Sequence, residues 1–134
     1  MSDGPNQTPR TLHGCVNDSN DFSSFLTNLG VPKDHIKTLQ NKEATRNAIL
    51  EAFDTHFIWN GAIQRNDSII FYFAGHGGQQ LAPPDMYAED QCVETFCPFD
   101  VVSKGGIPDY TLSYKLGELA GRRGNNVVSY SSIK

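Results

Sequence analysis

The chain is short of cysteine and of long apolar runs, and each shortage excludes a class of protein. Its three cysteines, Cys15, Cys92 and Cys97, form an odd set with no recognisable spacing. Such a set is typical of a reducing compartment rather than of a disulfide-stapled secreted domain. No apolar run approaches the roughly 20 residues of a membrane span, and no basic-then-apolar signal peptide opens the sequence. We therefore expect a cytoplasmic protein with no membrane partner.

Positive charge is also scarce. Eleven lysines and arginines against 15 aspartates and glutamates leave a net charge of −4, so we expect no nucleic-acid partner. Of the 134 residues, 38% are apolar and 10% aromatic, which is the composition of one soluble globular domain. We assign residues 12–134 to this domain and residues 1–11, polar with two prolines, to a flexible N-terminal segment.

Five consecutive large apolar residues, 69–73, precede a histidine held between glycines. The run lacks polar alternation, which is typical of a strand buried on both faces of a parallel sheet. His76 then follows the carboxyl end of this strand, the edge at which open α/β sheets place their active sites. The flanking Gly75, Gly77 and Gly78 leave its imidazole uncrowded. The pattern predicts a base that needs a nucleophile as its partner.

The rest of the chain alternates helical and strand patterns. Apolar residues at helical spacing predict helices over 18–29, 45–58 and 110–120, with Asn17 or Asp18 capping the first and Thr45 the second. Strands are predicted over 36–39, over 68–74, over 93–96 as an edge, and from 127 onward, with a loop over 78–91. This order predicts an α/β fold with a mainly parallel sheet and helices on both faces.

Four short motifs occur in order along the chain. They are Leu12-His-Gly-Cys-Val-Asn-Asp18, Ala44-Thr-Arg-Asn-Ala-Ile49, Phe71-Tyr-Phe-Ala-Gly-His-Gly77 and Cys97-Pro-Phe-Asp100. Together they resemble the caspase-like domain of fungal metacaspase-type proteins, peptidase family C14. The resemblance implies a caspase-like three-layer sandwich around a mainly parallel central sheet. It also implies a cysteine endopeptidase that hydrolyses polypeptides.

The resemblance assigns roles to four residues. His76 matches the catalytic histidine, which assists a cysteine thiolate and protonates the leaving amine, and the backbone N–H of Gly77 matches an oxyanion donor. Cys15 and Asp18 match residues that line the pocket for the residue before the cut, where a carboxylate suits arginine or lysine. Many relatives have a serine where this chain has Ala74, so one polar contact is missing. From the residues alone, Cys15 can equally be a small buried apolar side chain and Asp18 a helix cap.

The nucleophile of the family is the main departure. It lies in an Asp-x-Cys-His-Ser-like motif after a strand that follows a Gly-Asn-Asn turn. Here Gly124-Asn-Asn-Val-Val128 leads into Ser129-Tyr-Ser-Ser-Ile-Lys134, without a cysteine. The polar residues 1–11 also stand in place of the first strand of the family. We therefore expect a caspase-like domain truncated at both ends, with strand 68–74 left without a neighbour and the chain inactive.

Other residues could in principle supply the nucleophile. Cys15 belongs to the pocket in the family, and the distance of Cys92 and Cys97 from His76 does not follow from the sequence. Ser131 and Ser132 lie near the expected position, but a serine needs a stronger base arrangement than one histidine. We expect none of them to act.

Metal ions and a non-catalytic function remain as alternatives. We interpret four acidic residues as part of a solvated loop, with a calcium site as the alternative: Asp85, Glu89, Asp90 and Glu94. The spacing Cys92-x4-Cys97 differs from the close cysteine pairs that are usual in zinc sites. We expect no cofactor and no metal site. The partner is expected to be a polypeptide substrate. In the alternative interpretation, the chain is a decoy or interaction module that pairs with full-length caspase-like partners through an exposed sheet edge.

Overall fold

The computed structural model describes residues 11–86 and 91–133. Its helices are α1 (Thr11–Asn28), α2 (Arg46–Ala52), α3 (Val101–Lys104) and α4 (Asp109–Arg123), with 3-10 turns at Lys33–His35 and Asn41–Glu43 and a π-helical segment, Phe53–Ile58, that continues α2. Its strands are β1 (Ile69–Gly75), β2 (Gly77–Leu81), β3 (Cys92–Phe96), β4 (Ile107–Pro108) and β5 (Val127–Ile133). None of the helices in these ranges is long and apolar enough to cross a membrane.

The strands form two sheets. β1 and β5 pair in parallel from Ile69 opposite Val127 to Gly75 opposite Ile133, while β2, β3 and β4 form an antiparallel sheet in that order. The α/β class is therefore confirmed. Two expectations are wrong: the strand predicted over 68–74 has a neighbour, because pairing continues past Val128, and β3 is the central strand of its sheet rather than an edge.

One face of the β1–β5 sheet, which we call the core face, carries the main apolar core. Phe53, Ile58, Ile69 and Leu119 form a buried cluster there, between the π-helical segment, β1 and α4. A second cluster of Ile49, Ile107 and Leu112 shares Phe71 with the first. The guanidinium group of Arg123 donates to the carbonyls of Ile58 and Ile63, each at 3.0 Å. These bonds join the end of α4 to the end of the π-helical segment and to the turn that follows it.

The opposite face, which we call the α1 face, is covered by α1. The ring of Phe22 stacks on Tyr72, with centroids 4.3 Å apart and planes inclined by 8°, and Phe22 also contacts Tyr130. Tyr72 and Tyr130 are paired residues of β1 and β5. Alternate residues of a strand point to opposite faces of the sheet. The β1–β5 sheet is therefore covered by helices on both faces, as predicted.

Three local predictions differ from the structure. The first helix begins at Thr11 rather than near Asp18, so residues 1–10 of the predicted flexible segment lie outside the described residues, and neither Asn17 nor Asp18 is a cap. Burial of Cys15, which lies ahead of both predicted caps, favours the longer helix over a capping preference of about 1 kcal/mol. Residues 36–39 form no strand, since Leu39 packs on the Ile49 cluster instead. Residues 78–81 of the predicted loop 78–91 belong to β2, whose glycines and glutamines lack an apolar pattern.

Candidate active site

His76 is the single residue between β1 and β2. It is half-buried, and its carbonyl accepts a hydrogen bond from the backbone N–H of Cys97 at 3.0 Å. A Cβ at position 75 would lie 2.9 Å from Cζ of Phe73, so a larger residue there would have to displace the Phe73 ring. The histidine therefore follows the carboxyl end of β1 directly, and backbone pairing on both sides fixes its position.

The backbone N–H of Gly77 lies outside the hydrogen-bond ladder of β2 and β3. Gly77 stands opposite Phe96, and the bond from Cys97 to the His76 carbonyl makes this pair one that exchanges no ladder bonds. The Gly77 N–H therefore points away from β3. Gly77 also lies beside the end of β5, because a methyl group of Ile133 is close to the position that a Cβ on Gly77 would take. An N–H placed in this way can stabilise an oxyanion at the end of β5.

Cys15 and Asp18 lie on the side of α1 that covers the sheet, because residues 15, 18 and 22 share one helical face. Cys15 is 6% exposed, and a carboxylate oxygen of Asp18 lies 3.5 Å from the Ser132 hydroxyl on β5. Burial raises the pKa of Tyr72, and the nearby Asp18, Cys15 and Asp21 raise it further. The phenol therefore stays neutral beside the Asp18 carboxylate. The structure thus brings Cys15, Asp18 and Ser132 together at one end of the α1 face.

Cys97 is the cysteine whose backbone the structure joins to His76. Its Sγ lies 3.4 Å from the position that a Cβ on Gly78 would take. Burial raises the pKa of the Cys97 thiol, so the thiol stays protonated at neutral pH. A catalytic cysteine needs the opposite, since the thiolate is the nucleophile. The environment of Cys97 therefore disfavours attack.

The remaining candidate nucleophiles lie at different places in the fold. Cys92 pairs with Leu81 at the far end of the β2–β3 hairpin, about 13 Å along the strand from the end that adjoins His76. Ser131 and Ser132 are successive residues of β5, so they point to opposite faces, and Ser132 lies on the α1 face with Asp18.

A cavity of about 480 Å³ opens between the β2–β3 hairpin, the carboxyl end of β5 and the start of α4. It is lined by Gly77, Gly78, Gln79, Glu94, Thr95, Phe96, Asp109, Ser131 and Ile133. The charged side chains in this set are the carboxylates of Glu94 and Asp109. A methyl group of Ile133 lies 2.8 Å from the position of a Cβ on Gly77, so a larger residue at position 77 would have to displace the Ile133 side chain. The cavity thus adjoins the Gly77 N–H.

Metal binding depends on side chains that the structure describes only in part. Among residues 11–86 and 91–133, no group of three or more His, Cys, Asp and Glu side chains could hold a metal ion. Glu89 and Asp90, two of the four acids considered for calcium, lie outside the described residues.

Residues 4–122 match the family described as the metacaspase, peptidase C14 domain. The chain belongs to this family. Among metacaspases, it is 34% identical over 113 residues to Metacaspase-1 of Lodderomyces elongisporus, a match that covers 76% of this chain and 24% of the relative. It is 35% identical over 107 residues to Metacaspase-1A of Aspergillus oryzae, with 73% and 24% covered. It is 36% identical over 105 residues to Metacaspase-1 of Sclerotinia sclerotiorum, with 73% and 23% covered.

The residues that match the metacaspase family do not include the last strand of the structure. The chain spans about a quarter of the length of these curated relatives. The family match ends within α4, and β5 follows it. The ladder between β1 and β5 therefore extends the architecture beyond the matched residues.

Sequence reasoning missed three features of this candidate site. Tyr72 and Ser132 adjoin Asp18, and Cys97 adjoins His76, although these residues are far apart in sequence. Packing of α1 on the sheet creates the first two contacts and pairing of β2 with β3 creates the third, and no local pattern signals them. The motif Cys97-Pro-Phe-Asp100 was the available signal for Cys97, since it occurs in order with the histidine motif.

Proposed function

We propose that this metacaspase-type domain carries the histidine, oxyanion and pocket groups of a cysteine endopeptidase that cleaves polypeptides after arginine or lysine. The observation that carries the proposal is the orientation of the Gly77 N–H, which points away from β3 beside His76 at the carboxyl end of β1. The family membership supplies the reaction class, peptide hydrolysis.

The proposed chemistry follows from these groups. A cysteine thiolate attacks the scissile carbonyl carbon, and the Gly77 N–H stabilises the oxyanion that forms. The carbon–nitrogen bond then breaks, protonated His76 gives its proton to the leaving amine, and an acyl-enzyme remains. Water, deprotonated by His76, hydrolyses the acyl-enzyme and regenerates the thiolate.

The proposed pocket for the residue before the cut lies on the α1 face. Asp18 supplies a carboxylate for an arginine or lysine side chain, and its neighbour Ser132 supplies a hydroxyl. Ser132 is the strand partner of Ala74. Its hydroxyl therefore stands beside the position where many relatives carry a serine, and we propose that it replaces that contact.

We further propose that none of the three cysteines in the 134 residues is the nucleophile. Cys15 is buried on the side of α1 that covers the sheet, Cys92 lies at the far end of the hairpin, and partial burial raises the pKa of the Cys97 thiol. The purified 134-residue chain should accordingly show no turnover of fluorogenic peptides that end in arginine or lysine. Turnover that disappears in the His76→Ala variant would overturn this part of the proposal.

An introduced thiol tests the site directly. Ile133 contacts the Gly77 position at the end of β5, so Ile133→Cys places a thiol beside the proposed oxyanion donor. We expect a peptidyl-arginine chloromethyl ketone to alkylate this thiol about tenfold faster than in the same variant with His76→Ala. The rate is read by peptide mass spectrometry. Val128→Cys, exposed on the same strand, is the control and should not depend on His76.

Asp18→Asn, combined with Ile133→Cys, tests the pocket. It should slow the arginine reagent without slowing a glutamine reagent of the same length. If the thiol at position 133 is alkylated at the same rate with and without His76, the catalytic assignment is contradicted. If the arginine reagent reacts at the same rate with Asp18 and with Asn at position 18, the pocket is contradicted.

A second candidate function is an interaction module, and the outer edge of β5 favours it. Among the described strands β5 pairs only with β1, while Val128 and Tyr130 are 40% and 53% exposed. Odd-numbered residues of β5 direct their N–H groups away from β1. Ser129→Pro would therefore remove a donor from the outer edge and leave the hydrogen bonds between β1 and β5 intact. If this function holds, the chain alters the turnover of an active metacaspase, and Ser129→Pro, unlike Ser129→Ala, does not.

A further inference from the structure

The outer edge of β2 is available for pairing. The antiparallel sheet runs β2–β3–β4, and no strand within the described ranges pairs with the other side of β2. Ladder bonds at the His76 carbonyl and the Ala82 N–H hold β2 to β3. Gly77 and Gln79 between them therefore direct their N–H and C=O groups outward. An edge of this kind binds an extended peptide through main-chain hydrogen bonds.

The proposed function sets the register of such a peptide. If the Gly77 N–H binds the carbonyl of the residue before the cut, the chain beyond the cut continues along β2 toward Gln79. In a parallel pair the same glycine accepts the N–H of the second residue after the cut. Gly77 then stands opposite the first residue after the cut, and Gln79 stands opposite the third.

The cavity beside Gly77 sets a preference for one side chain. Residues opposite each other in a ladder direct their side chains to the same face. A side chain at Gly77 would point at Ile133, a wall of the cavity. The first residue after the cut therefore projects toward this cavity, where Glu94 and Asp109 supply carboxylates and no lysine or arginine is among the lining residues. Charge complementarity favours a basic side chain.

We infer that the outer edge of β2 binds the substrate beyond the cut as an added parallel strand, and that Glu94 and Asp109 select a lysine or arginine directly after the cut. This subsite is separate from the Asp18 pocket, which lies on the opposite face of the β1–β5 sheet. The inference rests on the proposed function, because the proposed role of Gly77 sets the register.

Fluorescence polarisation with the 134-residue chain tests the charge preference. The probes are two fluorescein-labelled octapeptides with arginine before the scissile bond and either lysine or glutamate directly after it. We expect the lysine peptide to bind about tenfold more tightly. The double variant Glu94→Gln, Asp109→Asn should reduce this ratio to about twofold or less. Equal binding of the two peptides by the parent chain would overturn the inference.

A proline tests the edge itself. Gln79→Pro removes an outward N–H and leaves the ladder to β3 intact, whereas Gln79→Ala is the matched control. We expect the proline variant to bind both peptides about tenfold more weakly and the alanine variant to stay within about twofold of the parent. Circular dichroism checks that both variants fold. If the proline variant does not fold, amide exchange in the parent decides: the Gly77 and Gln79 amides must exchange more slowly with peptide bound, and unchanged rates overturn the inference.

Two further outcomes separate this inference from the proposed function. If Asp18→Asn removes the preference for arginine over glutamine before the cut while Gln79→Pro changes neither affinity, the edge inference fails alone. If Gln79→Pro weakens binding but Asp18→Asn changes nothing, the pocket proposal fails and the edge stands. Sedimentation of the parent and of Gln79→Pro gives the last check. If the parent is a dimer that binds no peptide and the proline variant is a monomer, a second copy of the chain occupies the edge and the inference is overturned.

Discussion

The two faces of the β1–β5 sheet are covered to very different extents. On the core face, Ile58 and Leu119 are 1% and 0% exposed, whereas on the α1 side Phe25 and Leu29 remain 55% and 67% exposed. The core face therefore provides most of the apolar burial that stabilises the fold. The α1 face carries the groups proposed to recognise the residue before the cut. Stability and proposed recognition thus lie on opposite sides of one two-stranded sheet.

The largest loss of stability is expected when a side chain on the core face is truncated. Ile58→Ala should lower the free energy of unfolding by about 2–5 kcal/mol, because it deletes fully buried methyl groups and leaves a cavity. Urea unfolding followed by circular dichroism measures the change. Leu29→Ala, at the exposed residue that follows α1, is the control and should stay within about 0.5 kcal/mol of the parent. Similar losses for both would contradict the comparison.

A smaller effect is expected on the α1 face. Phe22→Ala removes the ring stacked on Tyr72 and should cost about 1–2 kcal/mol, since the side chain is only half-buried. Phe25→Ala on the same helix is the matched control, because its ring is more exposed. The same urea titration reads both. A loss for Phe22→Ala as large as that for Ile58→Ala would show that the α1 face contributes equally to the core.

Capping at the two helices should also differ. The Thr45 side chain accepts a hydrogen bond from the Ala48 N–H at the start of α2, so Thr45→Ala should destabilise the protein by about 1 kcal/mol. Thr27 instead donates to the Ser23 carbonyl within α1. Thr27→Ala should be close to neutral, because alanine is the better helix former. A larger loss for Thr27→Ala than for Thr45→Ala in the thermal midpoint would reverse the expected order.

The smallest effect concerns pH and the Cys97 thiol. Burial raises the pKa of this thiol in the folded protein, so the folded state keeps its proton to higher pH than the unfolded chain. The resulting stability is present below about pH 8.5, where the unfolded thiol is still protonated, and is lost as pH rises through the folded pKa. Urea midpoints at pH 7 and pH 9.5 should therefore fall less in Cys97→Ala than in the parent. Equal decline in both would exclude this thiol as the cause, leaving Tyr72, whose pKa is also raised.

Local patterns predicted the elements whose signal is contained in a short segment. The unbroken apolar run 69–73 predicted β1, Thr45 predicted the start of α2, and the helical spacing over 110–120 predicted α4 within a few residues of its bounds. The predictions that failed depended on distant partners. The glycines and glutamines of β2 become a strand only because β3 supplies hydrogen bonds, and residues 36–39 find no such partner among the described strands.

The sequence by itself determined the α/β class, the position of His76 directly after a strand and the family, because apolar periodicity and short motifs are local properties. Only the tertiary structure decided that β5 pairs with β1, that Asp18 meets Ser132 on the α1 face, and that the backbone N–H of the half-buried Cys97 bonds to the His76 carbonyl. It also decided that the Gly77 N–H points away from β3, on which the proposed function depends. The physical reason is the same for each: register, burial and hydrogen-bond direction arise from contacts between residues far apart in the chain, and a local pattern does not encode them.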